Sequence, residues 1–140
     1  MELSNVIAIF ALLISGFALY KQIKKDKVSQ NTVFFNQIFL KFLTQDCVEA
    51  RNDIRFDDRG RLENTKKFEE LIAELGNKIS FYEYVDKIFY DQLKNLLTEL
   101  DDLVVDDKEY KGKKQTDHSN KIDKKISELF KLIMDKYFVK

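Results

Sequence analysis

The four arginines of the chain lie in one short segment, and their side chains are those best suited to ionic recognition. They are Arg51, Arg55, Arg59 and Arg61, and the remaining strongly basic residues are all lysines. A guanidinium group is a planar fork of donors that suits carboxylates, phosphates and RNA backbones. Because Arg51 and Arg55 are four residues apart, we expect them to lie one turn apart on one helix face.

Two interpretations of these arginines stay open. In the first, they form ion pairs with Asp53, Asp57 or Asp58, or with a neighbouring subunit. In the second, they contact a polyanion or a cytosolic protein partner. The first makes the arginines structural, whereas the second makes them a binding surface.

Residues for covalent or metal chemistry are scarce. The chain has one cysteine, Cys47, and one histidine, His118, too few for a disulfide, a cysteine-based zinc site or a histidine-paired catalytic triad. Cys47 is predicted to be a small buried residue. The carboxylates between Glu99 and Glu109 lack the spacing of a calcium-binding loop, and no glycine-rich loop that could hold a nucleotide is present. We therefore expect no catalytic residue, metal site or cofactor, and we interpret the protein as not an enzyme.

Length and composition predict one small domain with its own core. The chain has 140 residues, of which 44% are apolar, and this share is enough to form a core rather than a disordered chain. Lys and Arg together number 24, as do Asp and Glu, so the formal net charge is zero. Binding to nucleic acid in general requires a basic surplus, so RNA is not expected as a partner.

The first twenty residues differ from the rest of the chain. Residues 6–20 carry no charged side chain, and with residues 3–5 they give 18 residues, or ~27 Å of helix. The hydrocarbon core of a bilayer is ~30 Å thick, so residues 1–20 are predicted to be a transmembrane anchor. A buried core helix and a cleaved signal peptide are the alternatives. The signal peptide is disfavoured because Glu2 stands where such peptides carry positive charge.

Positive charge follows the apolar segment, at Lys21, Lys24, Lys25 and Lys27. A lysine-rich flank stays in the cytoplasm, so we expect a single-pass protein of the inner membrane with its N-terminus outside and residues 21–140 inside. Two roles for these lysines remain open. They contact anionic lipid headgroups, worth ~1 kcal/mol each, or they set topology alone.

Small residues form a stripe along the apolar segment. They are Ser4, Ala8, Ala11, Ser15 and Ala18, with spacings of four, three, four and three. In lipid, small side chains let two helix backbones approach closely, and this close packing drives association. We therefore predict that the stripe is a self-association seam and that the protein is a homo-oligomer. Chance is the alternative, because alanine and serine are common in membrane spans.

Amphipathic helices are predicted after the anchor, because apolar residues recur at spacings of three and four. The first helix runs to about Asp53, and its aromatic stripe is predicted to be core: Phe34, Phe35, Phe39 and Phe42. A turn is expected at residues 57–60. A second helix is expected to begin near Asn64 or Thr65 and to stop at Gly76–Asn77.

The third predicted helix is the most regular. Ser80 is the expected N-cap and Glu83 its partner in a capping box, and the helix ends near Val104. Its apolar stripe comprises Phe81, Val85, Ile88, Phe89, Leu93, Leu96, Leu97, Leu100 and Leu103.

A polar stretch separates this helix from the last one. Residues 105–120 are predicted to be a loop, and the last helix is expected to start near Ser119 or Asn120. No alternating pattern predicts a strand. We therefore expect an all-α fold in which the transmembrane helix continues into a cytoplasmic antiparallel helical bundle of residues 21–140.

The order of apolar segment, lysine flank and helical domain accounts for the whole chain. His118 follows Lys113 by five positions, and the arginines are followed at that distance by Phe56, Gly60, Asn64 and Lys66. In layout the chain resembles small single-span bacterial proteins found beside phage-defence genes. These include the accessory membrane pore proteins of RNA-targeting CRISPR systems, whose soluble part is similar to the helical HEPN nuclease fold.

The chain lacks the catalytic residues of the nuclease fold that it resembles. The hallmark of a HEPN nuclease is an arginine, four residues and a histidine, and no arginine of this chain has that spacing to His118. The resemblance therefore implies a non-catalytic helical domain and a membrane oligomer.

These features favour a bacterial inner-membrane protein that self-assembles through its span and helical domain, as a membrane-perturbing or pore-forming accessory in phage defence. The alternative is a membrane anchor that recruits a cytosolic partner through the bundle. A membrane-tethered HEPN-like ribonuclease is the least favoured function.

Overall fold

The computed structural model describes residues 32–138. The predicted transmembrane anchor, its small-residue stripe and the four lysines after it lie outside the described residues. No helix within residues 32–138 is long and apolar enough to cross a membrane. The chain divides into two units, Met1–Asn36 and Gln37–Lys140, and the packing described below is that of the second unit.

The first described helix is irregular. Two π-helical stretches, Phe35–Leu40 and Phe42–Asp46, lead into the α-helix α1, Cys47–Asp53. The Thr44 hydroxyl donates to the Leu40 carbonyl at 2.7 Å, a bond that competes with the regular helical ladder. The predicted end of this helix near residue 53 is confirmed.

A two-stranded antiparallel ladder follows α1, so the expectation of no strand is wrong. Strand β1, Arg55–Phe56, pairs with strand β2, Leu62–Glu63, with Arg55 opposite Glu63. Each strand has two residues, which is too few to show an alternating pattern in the sequence. The predicted turn at residues 57–60 is confirmed and joins the two strands.

Helix α2, Lys66–Lys78, begins after Thr65, as predicted, and ends one residue after the predicted stop at Gly76–Asn77. The Thr65 hydroxyl bonds to the Glu69 carboxylate at 2.7 Å instead of capping the backbone. The helix continues through Gly76 because the apolar face goes on to Ile79, which is 1% exposed.

The third predicted helix is divided at Asp86 into α3, Tyr82–Val85, and α4, Lys87–Val104. The Asp86 carboxylate accepts a bond from the Phe89 amide at 3.2 Å and caps α4. The expected cap at Ser80 is wrong, because the Ser80 hydroxyl donates back to the Asn77 carbonyl at 2.8 Å.

The break at Asp86 changes which residues of this segment are buried. Val85 and Ile88, which the sequence places on the apolar stripe, are 69% and 75% exposed. An Asp N-cap requires non-helical backbone, and Asp86 has φ −156° and ψ 80°. This backbone interrupts the helical spacing between the residues before and after it.

The last helix, α5, Lys113–Phe138, begins earlier than predicted. The loop before it therefore covers residues 105–112 instead of 105–120. His118, expected in the loop, lies on α5 and is 3% exposed. The helix starts early because His118 and Ile122 are both buried, one turn apart, and extend the apolar face toward the N-terminus.

Helices α4 and α5 are antiparallel. The start of α4 meets the end of α5, where Lys136 donates to Asp86 at 2.6 Å. The end of α4 meets the start of α5, where the His118 ring lies 2.9 Å from the Leu103 carbonyl. The irregular helix and α1 also run antiparallel to α5, since Phe42 packs near Phe130 with ring centroids 6.5 Å apart, whereas Arg51, further along the chain, bonds to Asp123, which is earlier on α5. The helical class predicted from the sequence is confirmed for the described residues.

The core is built from one apolar stripe of each helix. Its fully buried large side chains are Phe39, Phe68, Ile79, Leu93, Leu100, Val104, Ile122, Leu129 and Ile133. The predicted burial of Phe39 and Phe42 is confirmed, whereas Phe34 is 41% exposed. Most of these residues belong to the apolar stripes predicted from the sequence, in which apolar residues recur every three or four positions.

A pair of leucines on α4 tests this core. Leu93 is fully buried and Leu96, one turn later, is half-buried. Leu93→Ala leaves a cavity and is expected to cost ~2–5 kcal/mol of unfolding free energy. Leu96→Ala is expected to cost clearly less. Denaturant unfolding of the full chain in detergent measures both, and equal losses would contradict the assigned face of α4.

Candidate functional site

The arginine hairpin, residues 55–63, carries three of the four arginines and is the part of the second unit best suited to ionic contacts. Asp57 organises its turn, because one carboxylate oxygen accepts the Arg59 and Arg61 amides, both at 2.9 Å. The Gly60 amide closes the turn on the Asp57 carbonyl at 3.0 Å. The bond from the Arg61 amide is the main cause that lowers the pKa of the Asp57 carboxyl.

The hairpin is fixed to the loop before α5 by a backbone contact. The Tyr110 amide donates to the Gly60 carbonyl at 2.8 Å. Gly60 has φ +84°, and a Cβ at this position would overlap the Tyr110 carbonyl. Only glycine combines this left-handed backbone with so close an approach. The shape of the arginine hairpin therefore depends on Gly60.

Aromatic side chains fill the space beneath the hairpin. Tyr110 stacks on His118 with ring centroids 4.4 Å apart and an interplanar angle of 18°. Phe56 of β1 meets both rings edge-on, at 6.3 and 6.4 Å. The His118 ring bonds to the Leu103 carbonyl, so the only histidine is held inside the structure by packing and by a backbone acceptor.

The Tyr110 hydroxyl donates to Asp106, and this bond is the main cause that raises the pKa of Tyr110 to about 12. The polar composition of residues 105–120 does not indicate a structural role for Tyr110 and Asp106. The available signal is that Tyr110 is the lone aromatic residue between Val105 and His118. An isolated aromatic residue in a polar loop is a candidate anchor of that loop, because its ring gains free energy when buried.

Arg51 forms structural ionic contacts, as the first of the two interpretations predicts, but its partners are not those that the sequence indicates. Its Nε donates to Asp123 at 2.7 Å and its Nη2 donates to Ser119 at 2.6 Å. The Arg51 side chain is 19% exposed. Both partners lie on α5, so Arg51 links α1 to that helix.

Arg55 does not share a helix face with Arg51, and that prediction is wrong. Helix α1 ends at Asp53, and Arg55 lies in β1. Its side chain is 71% exposed and stands 3.7 Å from Glu63 on the opposite strand. The expected ion pairs with Asp53, Asp57 or Asp58 are therefore replaced by a contact across the ladder.

The last two arginines differ in exposure. Arg59 is exposed at the tip of the turn. Arg61 is half-buried, and its Nε is buried with no hydrogen-bond partner among the described residues. The hairpin thus presents Arg55 and Arg59 to solvent, while Arg51 is engaged within the helical unit.

Cys47 is buried in α1, as predicted, with 1% exposure. Burial raises the pKa of its thiol to about 12, although the charge of Arg51 acts in the opposite direction. A thiol with so high a pKa is not a nucleophile at neutral pH. Cys47 therefore belongs to the core.

The chemistry that the described residues support is ionic and structural. They include no group of three or more His, Cys, Asp or Glu side chains that could hold a metal ion. The chain matches no protein-family model, no curated protein and no solved structure.

The contrast between two arginines can be measured. Arg51→Ala removes two short bonds from a largely buried side chain, and we expect a loss of ~1–3 kcal/mol of unfolding free energy. Arg55→Ala removes one exposed ion pair and is expected to cost ~0–1 kcal/mol. Denaturant unfolding of the full chain checks both values. If Arg51→Ala is as mild as Arg55→Ala, Arg51 does not link the helices.

Two glycines provide a matched test of the hairpin. Gly60→Ala forces a side chain into left-handed backbone against Tyr110, and we expect a loss of at least ~1–2 kcal/mol. Gly76→Ala on α2 meets no atom within 4 Å and is expected to gain ~0.5–1 kcal/mol, because alanine favours a helix. Thermal unfolding of the two variants is expected to shift in opposite directions. A stable Gly60→Ala variant would contradict the close contact with Tyr110.

Proposed function

We propose that the chain is a single-pass inner-membrane protein that self-assembles through its N-terminal segment and holds a helical unit in the cytoplasm. The observation that carries the proposal is the uncharged run of residues 6–20 followed by four lysines. A run of this length and flank is typical of an uncleaved anchor. The helical unit that begins at Gln37 has its own core and adds a folded body to this anchor.

Self-assembly rests on the stripe of small residues in the anchor. The spacing of Ala8, Ala11 and Ser15 in the sequence predicts a shared helix face, and small side chains there would allow close approach of neighbouring helices. An assembly of such spans would perturb or open the membrane, which is the role that the resemblance to phage-defence accessory proteins implies. We therefore propose assembly in the membrane as the central property of the protein.

Recruitment of a cytosolic partner is the second candidate function, and the arginine hairpin favours it. Arg55 and Arg59 are exposed. The hairpin lies beside the start of α5, where Phe56 meets the His118 ring, at the end of the unit opposite to the contact between Asp86 and Lys136. An acidic protein surface would fit two exposed guanidinium groups. We propose no nuclease function, because His118 is packed between Tyr110 and Phe56.

Substitutions in the small-residue stripe test the proposal. Ala11→Leu and Ser15→Leu keep the segment apolar, so insertion is expected to survive, while the larger side chains separate the packed helices. We expect the crosslinked oligomer in native membranes to decrease severalfold. Leu13→Phe, off the stripe, is the matched control and is expected to have a milder effect.

A reporter fused after Lys140 provides the control for insertion and is expected to remain cytoplasmic in all three variants. A periplasmic reporter in the unmodified protein would contradict the proposed topology. An oligomer that persists in both Ala11→Leu and Ser15→Leu would leave the segment as an anchor alone and would favour partner recruitment.

A further inference from the structure

A groove that is open to solvent runs between α4 and α5. Its lining includes two half-buried leucines, Leu96 of α4 and Leu132 of α5. Asn95 borders the groove from α4, and the exposed side chains of Lys131 and Asp135 border it from α5. A groove between two helices that combines partly buried leucines with exposed polar side chains is suited to the ridge of another helix.

The two charged side chains at the α5 border of the groove are unmatched. Within residues 32–138, neither Lys131 nor Asp135 forms an ion pair or a hydrogen bond. Neighbouring charges of the same helix are matched, because Lys125 pairs with Glu128 at 2.9 Å and Lys136 pairs with an aspartate of α4 at 2.6 Å. Lys131 and Asp135 have opposite charges one helical turn apart, so each is a suitable partner for the other on a second copy of the chain.

An exposed apolar side chain, that of Ile88, continues the α4 side of the groove. Ile88 lies two helical turns before Asn95, on the same face of α4, and it is 75% exposed. The bond between Asp86 and Lys136 places these two positions at one level of the antiparallel pair. Ile88 is two residues further along α4, so it lies at the level of residue 134 of α5.

A single two-fold axis would match the charges and cover the exposed isoleucine at once. An axis that crosses the groove at right angles to the helices, midway between Lys131 and Asp135, makes the two copies antiparallel. Each Lys131 then lies opposite Asp135 of the second copy. The axis passes ~1.5 Å from the level of Ile88, so the two isoleucines meet across it. An interface of this symmetry uses one patch on both copies, and the patch must therefore be complementary to itself.

We propose that the groove between α4 and α5 is a dimer interface, covered by the same groove of a second, antiparallel copy of this chain. The ion pairs between Lys131 and Asp135 fix the orientation of the copies, because complementary charges give specificity more than affinity. Leu96, Leu132 and Ile88 supply the apolar area that the contact removes from water. This interface involves the second unit alone and does not depend on the proposed assembly of the N-terminal segment.

Cysteine crosslinking of the full chain in mild detergent tests the orientation. Ile88→Cys places a thiol beside the axis, and we expect a disulfide-linked dimer on mild oxidation. Asn95→Cys lies on the same face, but its two copies would be ~18 Å apart along the helices, too far for a disulfide. We expect about fivefold less dimer from Asn95→Cys than from Ile88→Cys. The native Cys47 is 1% exposed, so the unsubstituted chain is expected to give no linked dimer.

A charge exchange in the Ile88→Cys chain tests the ion pairs. Lys131→Asp places two carboxylates opposite each other, and we expect the linked fraction to fall about fivefold. Adding Asp135→Lys restores opposite charges with their positions exchanged, and the linked fraction is expected to return to within about twofold of its original value. Lys94→Asp, an equal change of charge at an exposed α4 position that does not line the groove, is the matched control and is expected to have little effect.

Three results would overturn the interface. Equal crosslinking of Ile88→Cys and Asn95→Cys would show random encounters or another orientation of the copies. A double charge variant as weak as Lys131→Asp alone would show that Lys131 and Asp135 do not face each other. No linked dimer from either cysteine variant would leave the groove to a different partner. None of these results affects the proposed assembly of the N-terminal segment, which the substitutions in the small-residue stripe test separately.

Discussion

Burial of one stripe of α5 is the constraint on which the rest of the second unit depends. Ile122, Leu129 and Ile133 have no exposed surface, so a helix must cover them on each side. Helix α4 does so from one side and the irregular helix with α1 from the other, both antiparallel to α5. At ~25 cal/mol per Å² of apolar surface, burial of such a stripe is the main favourable term in folding of a unit this small.

The apolar stripes made the helices predictable, because spacing of three and four residues is a local property of the sequence. The ends were less predictable because polar side chains set them. Asp86 ends one helix and caps the next by accepting the Phe89 amide, yet its neighbours Val85 and Ile88 maintain the apolar pattern. The apolar pattern continues across the N-cap in the sequence. The pattern alone therefore does not show that Val85 and Ile88, on either side of the cap, face solvent.

The arginine hairpin shows the same limit for the candidate site. The turn was predictable from Asp57 and Gly60, whose side-chain acceptor and backbone freedom are local properties. The partners of Arg51 and the contact of Gly60 with Tyr110 join residues fifty or more positions apart. No spacing in the sequence indicates these contacts, since each depends on tertiary packing of the chain around α5 against α1 or the hairpin. For the same reason the sequence predicts that His118 lies in a loop, whereas in the structure it is buried on α5.

The antiparallel packing also gives the two ends of the second unit different chemistry. Helices that alternate in direction bring the chain entry, the start of α4 and the end of α5 to one end, and the hairpin with the start of α5 to the other. One end exposes Tyr84, Val85 and Ile88, whereas the other exposes Arg55 and Arg59. A unit with two such ends can contact two chemically different partners at once, because a contact at one end leaves the other end exposed.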